Sequence, residues 1–264
     1  MNINRVAIVT GGTRGMGLSI SKKLSRDGNL VVAVYNSNES AAKECEKQLK
    51  EIDNRNCVMQ ANVASAEQAS DLVKKVYETF GRIDILINNA GIFNFNFIED
   101  MTEEYLDEIM NVNFKAQFFM LKSVIPYMQA NKYGRIANAS SISGKIADVG
   151  LLGYAASKAS VNMMTAIASA ELAPYGITVN AYAPGIIHTD MTDAMIQERG
   201  DKQVEQISVR RFGNGDDVSA LVSFLVSPEA GYVTGEIIGV DGGFFKVQNA
   251  YRAHEYTESK KMDN

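Results

Sequence analysis

Short, continuously apolar segments recur along the chain and are separated by longer stretches of mixed polarity. The apolar segments are rich in β-branched residues and span residues 5–10, 30–35, 56–61, 83–88, 134–140, 177–183 and 236–242. Continuous apolar runs are typical of strands that helices cover on both faces, whereas half-buried strands alternate polar and apolar residues. The pattern therefore predicts an α/β fold in which a doubly wound parallel sheet is flanked by helices.

One intervening stretch carries its own helix boundaries. Ser65 stands three residues before Gln68, the spacing of an amino-terminal capping box, and Gly81 follows the last periodic residue. We expect a helix between Ser65 and Gly81.

The composition indicates few breaks in this fold. The chain has 264 residues, 46% hydrophobic and 22% charged, with four prolines and no stretch rich in serine, glycine and proline. We expect one domain at residues 1–245 and a polar tail at residues 246–264. The tail is either a solvated end or a cover for a neighbouring subunit's site.

Charge and residue usage argue against several classes of protein. A net charge of −5 without a basic cluster argues against nucleic acid binding. No apolar run has the length of a membrane span, and the amino terminus has no signal-peptide pattern, so we expect no membrane partner. Two cysteines suit reduced thiols in the cytoplasm, and two histidines without a ligand motif predict no metal site.

A glycine-rich segment, TGGTRGMG at residues 10–17, lies between the first strand and the first helix. Gly11, Gly15 and Gly17 let the backbone approach a pyrophosphate, which the free N–H groups of the following helix bind. Such a turn alone is also compatible with a purely structural role, but its position favours dinucleotide binding. A P-loop is excluded because Leu18 stands where that motif requires lysine. The expected site also includes Thr13, Arg14 and Met16.

The end of the second strand indicates which dinucleotide is bound. NAD sites place a carboxylate on the ribose 2′-hydroxyl about 20 residues after the glycines. Here the residues are Tyr35, Asn36 and Ser37, and no carboxylate precedes Glu39. A 2′-phosphate would meet no negative charge there, and Arg14 can pair with it unless that arginine is only a solvated loop residue. The sequence therefore predicts NADP(H).

Tyr154 and Lys158 are four residues apart in GYAASKAS, so a helix places them on one face. A phenol has an unperturbed pKa of about 10, so acid–base chemistry near neutral pH requires a shift worth roughly 4 kcal/mol. A cation about 4 Å away contributes on the order of 4 kcal/mol at an effective dielectric of about 20. One lysine is therefore sufficient to lower the phenol pKa.

The surroundings of this pair distinguish it from a second one. The strand at residues 134–140 delivers Ser140 and Ser141 to the edge of the sheet where the dinucleotide is expected. Tyr256 and Lys260 have the same spacing in the polar tail without a nearby strand or glycine turn. We interpret the tail pair as coincidental.

Together these segments resemble the short-chain dehydrogenase/reductase family, and the similarity covers about residues 4–245. The motifs follow the family order: TGGTRGMG, NNAG at 88–91, Asn113 within NVN, Ser141, Tyr154 with Lys158, and PGIIHTDM at 184–191. The resemblance implies a Rossmann-type fold with seven parallel strands.

The resemblance also implies residue roles. Tyr154 would be the catalytic acid/base, Ser141 would hold the substrate oxygen, and Lys158 would bind the nicotinamide ribose. Asn113 would position a water in the proton relay. The further cofactor-binding residues that it implies are Asn62, Val63, Asn89, Ala90, Gly91, Pro184, Gly185, Ile187 and Thr189. Asn62 departs from the aspartate that often contacts the adenine amino group, but its amide oxygen can accept the same bond.

Such an enzyme transfers hydride between NADP(H) and a ketone or secondary alcohol while Tyr154 moves the proton. Phe93, Phe95 and Phe97 alternate with asparagines, an arrangement that either lines the mouth of the site or packs under a helix. Met191, Met195 and Ile196 suit an adaptable apolar pocket. We expect a bulky apolar substrate.

Two substrate classes stay open, namely hydroxysteroids such as bile acids and 3-oxoacyl thioesters. PGIIHTDM and VRRFG are similar to segments of 3-oxoacyl-acyl-carrier-protein and acetoacetyl-CoA reductases, whose carrier-binding entrance is basic. Here Lys132 keeps one such basic position and Tyr175 occupies another. GYVTG, GGF and the tail are similar to bacterial hydroxysteroid dehydrogenases.

Other functional classes have less support. A non-catalytic NADP(H)-binding sensor or scaffold has no need of the set Ser141, Tyr154 and Lys158. A serine hydrolase is disfavoured because the chain has no GxSxG elbow. The helix after Tyr154 is small and apolar around much of its circumference, so we expect it to pack in the core or against another subunit of a homotetramer or homodimer.

Overall fold

Seven parallel strands form one sheet in the computed structural model, which describes residues 4–262 and side chains as far as residue 260. In chain order the strands are β1 (Val6–Thr10), β2 (Leu30–Tyr35), β3 (Cys57–Gln60), β4 (Ile85–Asn88), β5 (Gly134–Ala139), β6 (Ile177–Pro184) and β7 (Ile237–Val240). Their order across the sheet is β3-β2-β1-β4-β5-β6-β7. The order reverses between β1 and β4, and open α/β sheets bind ligands at such a point.

Helices cover both faces of this sheet. Within residues 4–262 the α-helices are α1 (Gly15–Arg26), α2 (Glu39–Ile52), α3 (Ala66–Phe80), α4 (Glu103–Met110), α5 (Ala116–Asn131), α6 (Leu152–Leu172), α7 (Asp193–Val204), α8 (Gly215–Leu225) and α9 (Tyr251–Met262). Val6 and Ile8 of β1 pack with α3, α5 and α6, whereas Ala7 and Val9 pack with α1, α2 and α8. Both faces of the central strands are therefore buried, which explains their continuous apolar runs.

The predicted doubly wound fold with seven parallel strands is confirmed, and the strand ends shift slightly. Asn56 and Asp84, expected within strands, lie just before β3 and β4. Their side-chain oxygens accept hydrogen bonds from the backbone N–H groups of Val31 and Val6, each at 2.9 Å. These two polar side chains hold the starts of neighbouring strands in register.

The predicted helix boundaries at Ser65 and Gly81 are confirmed. The Ser65 side chain caps α3 by accepting from the N–H of Gln68 at 3.4 Å. Gly81 has a φ of 72°, the left-handed conformation typical of a residue that ends a helix. The capping box is not reciprocal, because the Gln68 side chain accepts from the N–H of Asn62 at 2.9 Å.

The segment expected as a polar tail contains α9. His254 Nε2 lies 2.8 Å from the carbonyl oxygen of Ser208, which joins this helix to the segment before α8. Residues 1–3 of the expected domain and 263–264 of the expected tail lie outside the described residues. Across residues 4–262, no helix is long and apolar enough to cross a membrane.

Candidate active site

A cleft of about 510 Å³ opens at the carboxyl ends of the strands, on both sides of the point where the strand order reverses. Most of the predicted cofactor-binding residues line it. They are Gly11, Thr13, Arg14, Gly15, Met16, Gly17, Tyr35, Asn36, Ser37, Asn62, Val63, Asn89, Ala90, Gly91 and Thr189. The expected dinucleotide site and this cleft therefore coincide.

The glycine turn has a backbone that other residues would not readily adopt. Gly11 and Gly15 have φ values of 59° and 52°, in the left-handed region. A Cβ atom on Gly17 would lie 2.0 Å from the Gly11 carbonyl oxygen, so the turn and α1 are packed together without room for a side chain. The first turn of α1 carries no acidic residue, so its free N–H groups fit an anionic pyrophosphate.

Hydrogen bonds join the glycine turn to the segment after β4. Asn89 Nδ2 donates to the carbonyl oxygens of Thr10 and Gly11, each at 3.1 Å. Thr10 Oγ1 accepts from the backbone N–H groups of Asn89 and Ala90 at 2.9 and 3.1 Å. The two walls of the cleft are therefore held at a fixed separation.

Asn113 lies in a wide helical turn at Asn111–Lys115, where the hydrogen bonds are those of a π-helix. Its side chain accepts from the N–H of Ile92 at 2.8 Å and donates to the carbonyl of the same residue at 3.0 Å. It also donates to Ser157 Oγ at 3.2 Å. π-Turns inside helices are frequent at functional sites, and this one fixes the loop that follows Gly91.

Tyr154 and Lys158 lie on the same face of α6, as predicted. Lys158 Nζ is 5.6 Å from the centroid of the Tyr154 ring and donates to the carbonyl of Ala139 at 2.8 Å. A Cβ atom on Gly91 would lie 3.7 Å from Lys158 Nζ, so the lysine is adjacent to the Gly91 end of the cleft. Lys158 is buried and Tyr154 is partly buried.

The structure distinguishes the two serines that follow β5. Ser141 lies near enough to the Tyr154 side chain to favour the ionised form of its phenol and so lower its pKa. Its Oγ also accepts from the N–H of Ser143 at 3.1 Å, which fixes the hydroxyl. Ser140 instead donates to Asn162 Oδ1 at 2.5 Å. Of the two serines, Ser141 is therefore the one adjacent to Tyr154.

One electrostatic expectation is corrected. Burial raises the pKa of the Tyr154 phenol, and the neighbouring Ser141 hydroxyl only partly opposes that rise. Burial also lowers the pKa of Lys158 to about 8. Desolvation disfavours the charged form of both groups, so the net shift of the phenol pKa in the free protein is upward, not downward as the four-residue spacing suggested.

The pair of Tyr256 and Lys260 in the tail shows that a four-residue spacing does not by itself identify a catalytic tyrosine and lysine. Lys260 Nζ is 5.1 Å from the ring centroid of Tyr256, similar to the separation in the Tyr154 and Lys158 pair. Tyr256 is 62% exposed, however, and lies far along the chain from the cleft. Burial and the neighbouring serine, rather than the separation of the two side chains, distinguish Tyr154.

Part of the predicted site does not line the cleft. The four predicted catalytic residues lie beside it rather than in its lining, namely Asn113, Ser141, Tyr154 and Lys158, and three predicted cofactor-binding residues pack elsewhere. Ile187 is only 3% exposed and packs in the core, with a β-bridge to Gly213. Gly185 packs against Asp241, where a Cβ atom would lie 2.9 Å from the Asp241 Cα. Pro184 is buried as the last residue of β6. Their expected roles beside the nicotinamide stay predictions.

Sequence reasoning missed several residues of the site. Glu108, Asp190 and Met191 line the cleft, although only the methionine had been singled out, as part of a substrate pocket. Tyr182 is fully buried in β6 and donates to Asn89 Oδ1 at 3.2 Å. No signal in the sequence marks Tyr182, because β6 also contains the polar residues Thr178 and Asn180.

Comparisons with known proteins agree with this geometry. The family model for short chain dehydrogenases matches residues 5–200. A 3-oxoacyl-[acyl-carrier-protein] reductase from Staphylococcus epidermidis is 38% identical over 243 residues, which cover 92% of this chain and 100% of that protein. Its counterpart from Thermotoga maritima is 38% identical over 242 residues, covering 90% and 97%. The crystal structure of gox2181 superposes with a TM-score of 0.88 at 32% identity, covering 92% of this chain and 96% of that one.

The matched residues include the glycine turn, the loop after β4 and the helix that carries Tyr154 and Lys158. Identity near 38% along almost the whole chain goes well beyond a shared architecture. Its sequence and its fold show that the chain belongs to the short-chain dehydrogenase/reductase family and is an oxidoreductase that acts on CH–OH groups.

Proposed function

We propose that the protein interconverts a ketone and a secondary alcohol with NADP(H), using Tyr154 as acid/base. The observation that carries the proposal is the grouping of Tyr154, Ser141 and Lys158 at the Gly91 end of the cleft. When bound, the nicotinamide supplies or accepts the hydride. The glycine turn and the N-terminus of α1 are the groups that would hold its pyrophosphate.

The residues around Tyr154 suit proton donation. Ketone reduction requires the protonated phenol, and Tyr154 is in that form near neutral pH, although its raised pKa makes it a weaker acid than an exposed tyrosine. Hydroxyl donors on Tyr154 and Ser141 would stabilise the negative charge that develops on the substrate oxygen. Lys158, held by Ala139, would bind the cofactor ribose, and Asn113 would order a water for the proton relay.

We propose NADP(H) rather than NAD(H) because of the charges around Tyr35. Glu39 begins α2 and is not among the residues that line the cleft. Arg14 is exposed at the start of α1 and lines the cleft beside Tyr35 and Ser37. Its guanidinium can pair with a 2′-phosphate.

Arg14→Ala tests this preference. A hydrogen-bonded charge pair contributes about 1.5–3 kcal/mol, so we expect NADPH to bind at least about tenfold more weakly while NADH binding is unchanged. Cofactor fluorescence titrations measure both affinities. Arg26→Ala, at the other end of α1, is the control and should change neither affinity. A wild-type enzyme that prefers NADH would contradict the proposal.

An aromatic wall beside Tyr154 supports a bulky apolar substrate. The Phe93 ring meets the Tyr154 ring edge to face, with centroids 5.0 Å apart. Phe95 makes the same kind of contact with Phe93 at 5.2 Å. Phe97 is 57% exposed. The contact of Phe93 with Tyr154 supports the first of the two arrangements expected from the sequence, in which the rings lie at the mouth of the site.

Lys132 and Tyr175, at the positions where carrier-dependent reductases have basic residues near the entrance of the site, do not lie at the entrance of this cleft. Lys132 follows α5 and precedes β5, and Tyr175 precedes β6, so both lie at the amino-terminal edge of the sheet. The cleft lies at the opposite, carboxyl edge. Neither residue can guard the entrance to this chain's own site, so Tyr175 is not an argument against a carrier-bound substrate.

A 3-oxoacyl thioester is the second candidate substrate, and the names of the similar reductases favour it. The aromatic wall favours a ring-bearing ketone such as an oxo-bile acid. Assays with NADPH on acetoacetyl-CoA and a panel of oxo-bile acids separate the two. We expect kcat/KM on the preferred oxo-bile acid to exceed that on acetoacetyl-CoA at least tenfold, equivalent to about 1.4 kcal/mol of transition-state binding. The reverse ratio supports the thioester, and inactivity on both contradicts both.

We also propose a homotetramer, supported by apolar side chains on α5 and α6. Phe118 is 42% exposed, and Met163 and Ile167, one turn apart on α6, are 64% and 52% exposed. Large exposed apolar patches mark association surfaces.

Two further proposals concern the whole chain. We propose one domain followed by a tail, and a cytoplasmic location, which the two unpaired cysteines suit.

Substitution of Met163 and Ile167 with aspartate tests the assembly. Two buried charges on the interface would be strongly unfavourable, so we expect the tetramer to dissociate in sizing chromatography. Tyr232→Asp is the control, because Tyr232 is fully exposed on another part of the surface. Elution of the wild-type protein as a monomer would contradict the proposal.

A further inference from the structure

Gln117 and Lys158 share one hydrogen-bond acceptor. Gln117 lies on α5, one turn after Asn113, and is 2% exposed. Its Nε2 donates to the carbonyl of Ala139 at 3.1 Å. The same carbonyl accepts from Lys158 Nζ at 2.8 Å. Two helices, α5 and α6, therefore meet at one oxygen atom at the end of β5.

The position of Ala139 explains why its carbonyl accepts side chains. The last paired residues of β4 and β5 are Asn88 and Asn138. Ala139 is one residue beyond this last pair. The backbone N–H groups that follow β4, those of Asn89 and Ala90, donate to Thr10 Oγ1 and not to the Ala139 carbonyl. A backbone carbonyl has two lone pairs, and here Gln117 and Lys158 use them.

A buried polar network holds Gln117 in place. Asn88 Nδ2 donates to the Gln117 backbone carbonyl at 3.2 Å and to Asn138 Oδ1 at 2.9 Å. Asn138 Nδ2 donates to Thr165 Oγ1 on α6 at 3.0 Å. The network joins β4, β5, α5 and α6, and the Gln117 amide connects it to the acceptor of Lys158.

The Gln117 side chain is a poor stabiliser of the fold. Among the described residues its Oε1 atom is buried without a hydrogen-bond partner. A buried unpaired acceptor costs stability, so an apolar side chain of the same shape would serve packing better. The bond from Nε2 to Ala139 is what this amide provides and an apolar side chain cannot.

We propose that Gln117 is a positioning residue for Lys158, which it acts on through the Ala139 carbonyl. By occupying one lone pair, Gln117 leaves a single direction for the lysine, whose two other N–H groups stay available to the cofactor and to Tyr154. The inference rests on the proposed function and adds to it a residue outside the four that the motifs identify.

Gln117→Met tests the proposal, because methionine has nearly the same shape without the amide. Lys158 would then be the sole donor to Ala139, which favours its ammonium form and moves the alkaline decline of kcat to higher pH. Burial alone, and no charged neighbour, lowers the pKa of Lys158 in the wild-type protein. We also expect kcat at neutral pH to fall on the order of tenfold, because small misplacements of catalytic groups are costly.

A second readout needs no turnover. The alkaline ionisation of Tyr154 is measured in the cofactor-free protein from tyrosinate absorbance. At each pH, the absorbance of the Tyr154→Phe counterpart is subtracted from that of the protein that keeps Tyr154. We expect Gln117→Met to move this ionisation to lower pH, because the neighbouring ammonium persists longer. Asn56→Leu is the control, since Asn56 is a buried amide at the opposite edge of the sheet. It should lower thermal stability without moving either titration.

The outcomes separate the two proposals. If Tyr154→Phe keeps wild-type turnover, the proposed function is wrong, and the Tyr154 titration still tests Gln117. If Tyr154→Phe is inactive and Gln117→Met leaves both titrations in place with kcat within twofold of wild type, the role of Gln117 is refuted. Gln117→Asn replaces the methionine variant if that variant does not fold, because its amide is a methylene too short to reach Ala139.

Discussion

Tyr154→Phe is expected to lower kcat by a factor of about 10²–10⁴, the range typical for loss of a general acid. The substitution removes one hydroxyl and keeps the ring that packs edge to face on Phe93. The interaction with Ser141 is lost with it, but the cleft residues that would bind the cofactor are untouched. NADPH affinity should therefore stay within about twofold of wild type. Steady-state kinetics and fluorescence titration measure the two quantities.

The tail supplies a matched control for this prediction. Tyr256→Phe removes a hydroxyl from a tyrosine whose ring contacts a lysine in the same way, at an exposed position. It should leave kcat and cofactor affinity unchanged. Equal turnover in the wild-type protein and Tyr154→Phe would contradict the assignment of Tyr154 as the acid/base, whereas absence of turnover in the wild-type protein would favour the non-catalytic NADP(H)-binding alternative.

Gly17→Ala is expected to have the second-largest effect, on cofactor binding and stability together. The new methyl group would lie 2.0 Å from the Gly11 carbonyl oxygen and 2.6 Å from Asn89 Nδ2. Backbone cannot yield as a flexible side chain does, so the turn must move away from α1. Overpacking of this kind typically costs 1–3 kcal/mol of unfolding free energy. Because the displaced turn forms the floor of the cleft, NADPH should bind at least about tenfold more weakly.

Thermal melts and NADPH titrations measure these changes. Gly200→Ala is the control, because a Cβ atom there would lie 3.4 Å or more from its neighbours, which are side chains of Ile196 and Phe212. Alanine within α7 should be neutral or slightly stabilising, since glycine is the weaker helix former. A Gly17→Ala protein with wild-type melting and NADPH binding would show that the turn is not in this conformation.

The strands and the glycine turn could be predicted because their signals are local. Most strands are short, largely apolar runs rich in β-branched residues, and TGGTRGMG follows the first of them directly. Residues that act across the sheet gave no such signal. Thr10 meets Asn89 across 79 positions of the chain, and Tyr182 meets Asn89 across 93. Spacing along the chain contains no information about such pairs.

Two errors of interpretation have different physical causes. The effect of Lys158 on the pKa of Tyr154 depends on burial, which a four-residue spacing does not specify. The placement of Lys132 and Tyr175 could have been deduced, because residues that precede parallel strands lie at the edge opposite to those that follow them. The family resemblance identified the two positions without showing which edge they occupy.

The wide turn at Asn111–Lys115 joins α4 and α5 without ending the rod they form. One additional residue in a turn offsets the phase of the following helix by about 100°. Asn113 can consequently face the loop after Gly91 while Gln117, a single turn later, faces the end of β5. Loss of one residue from that turn would rotate every later side chain of α5 relative to the sheet. The number of residues in this short segment is therefore more tightly constrained than their identity.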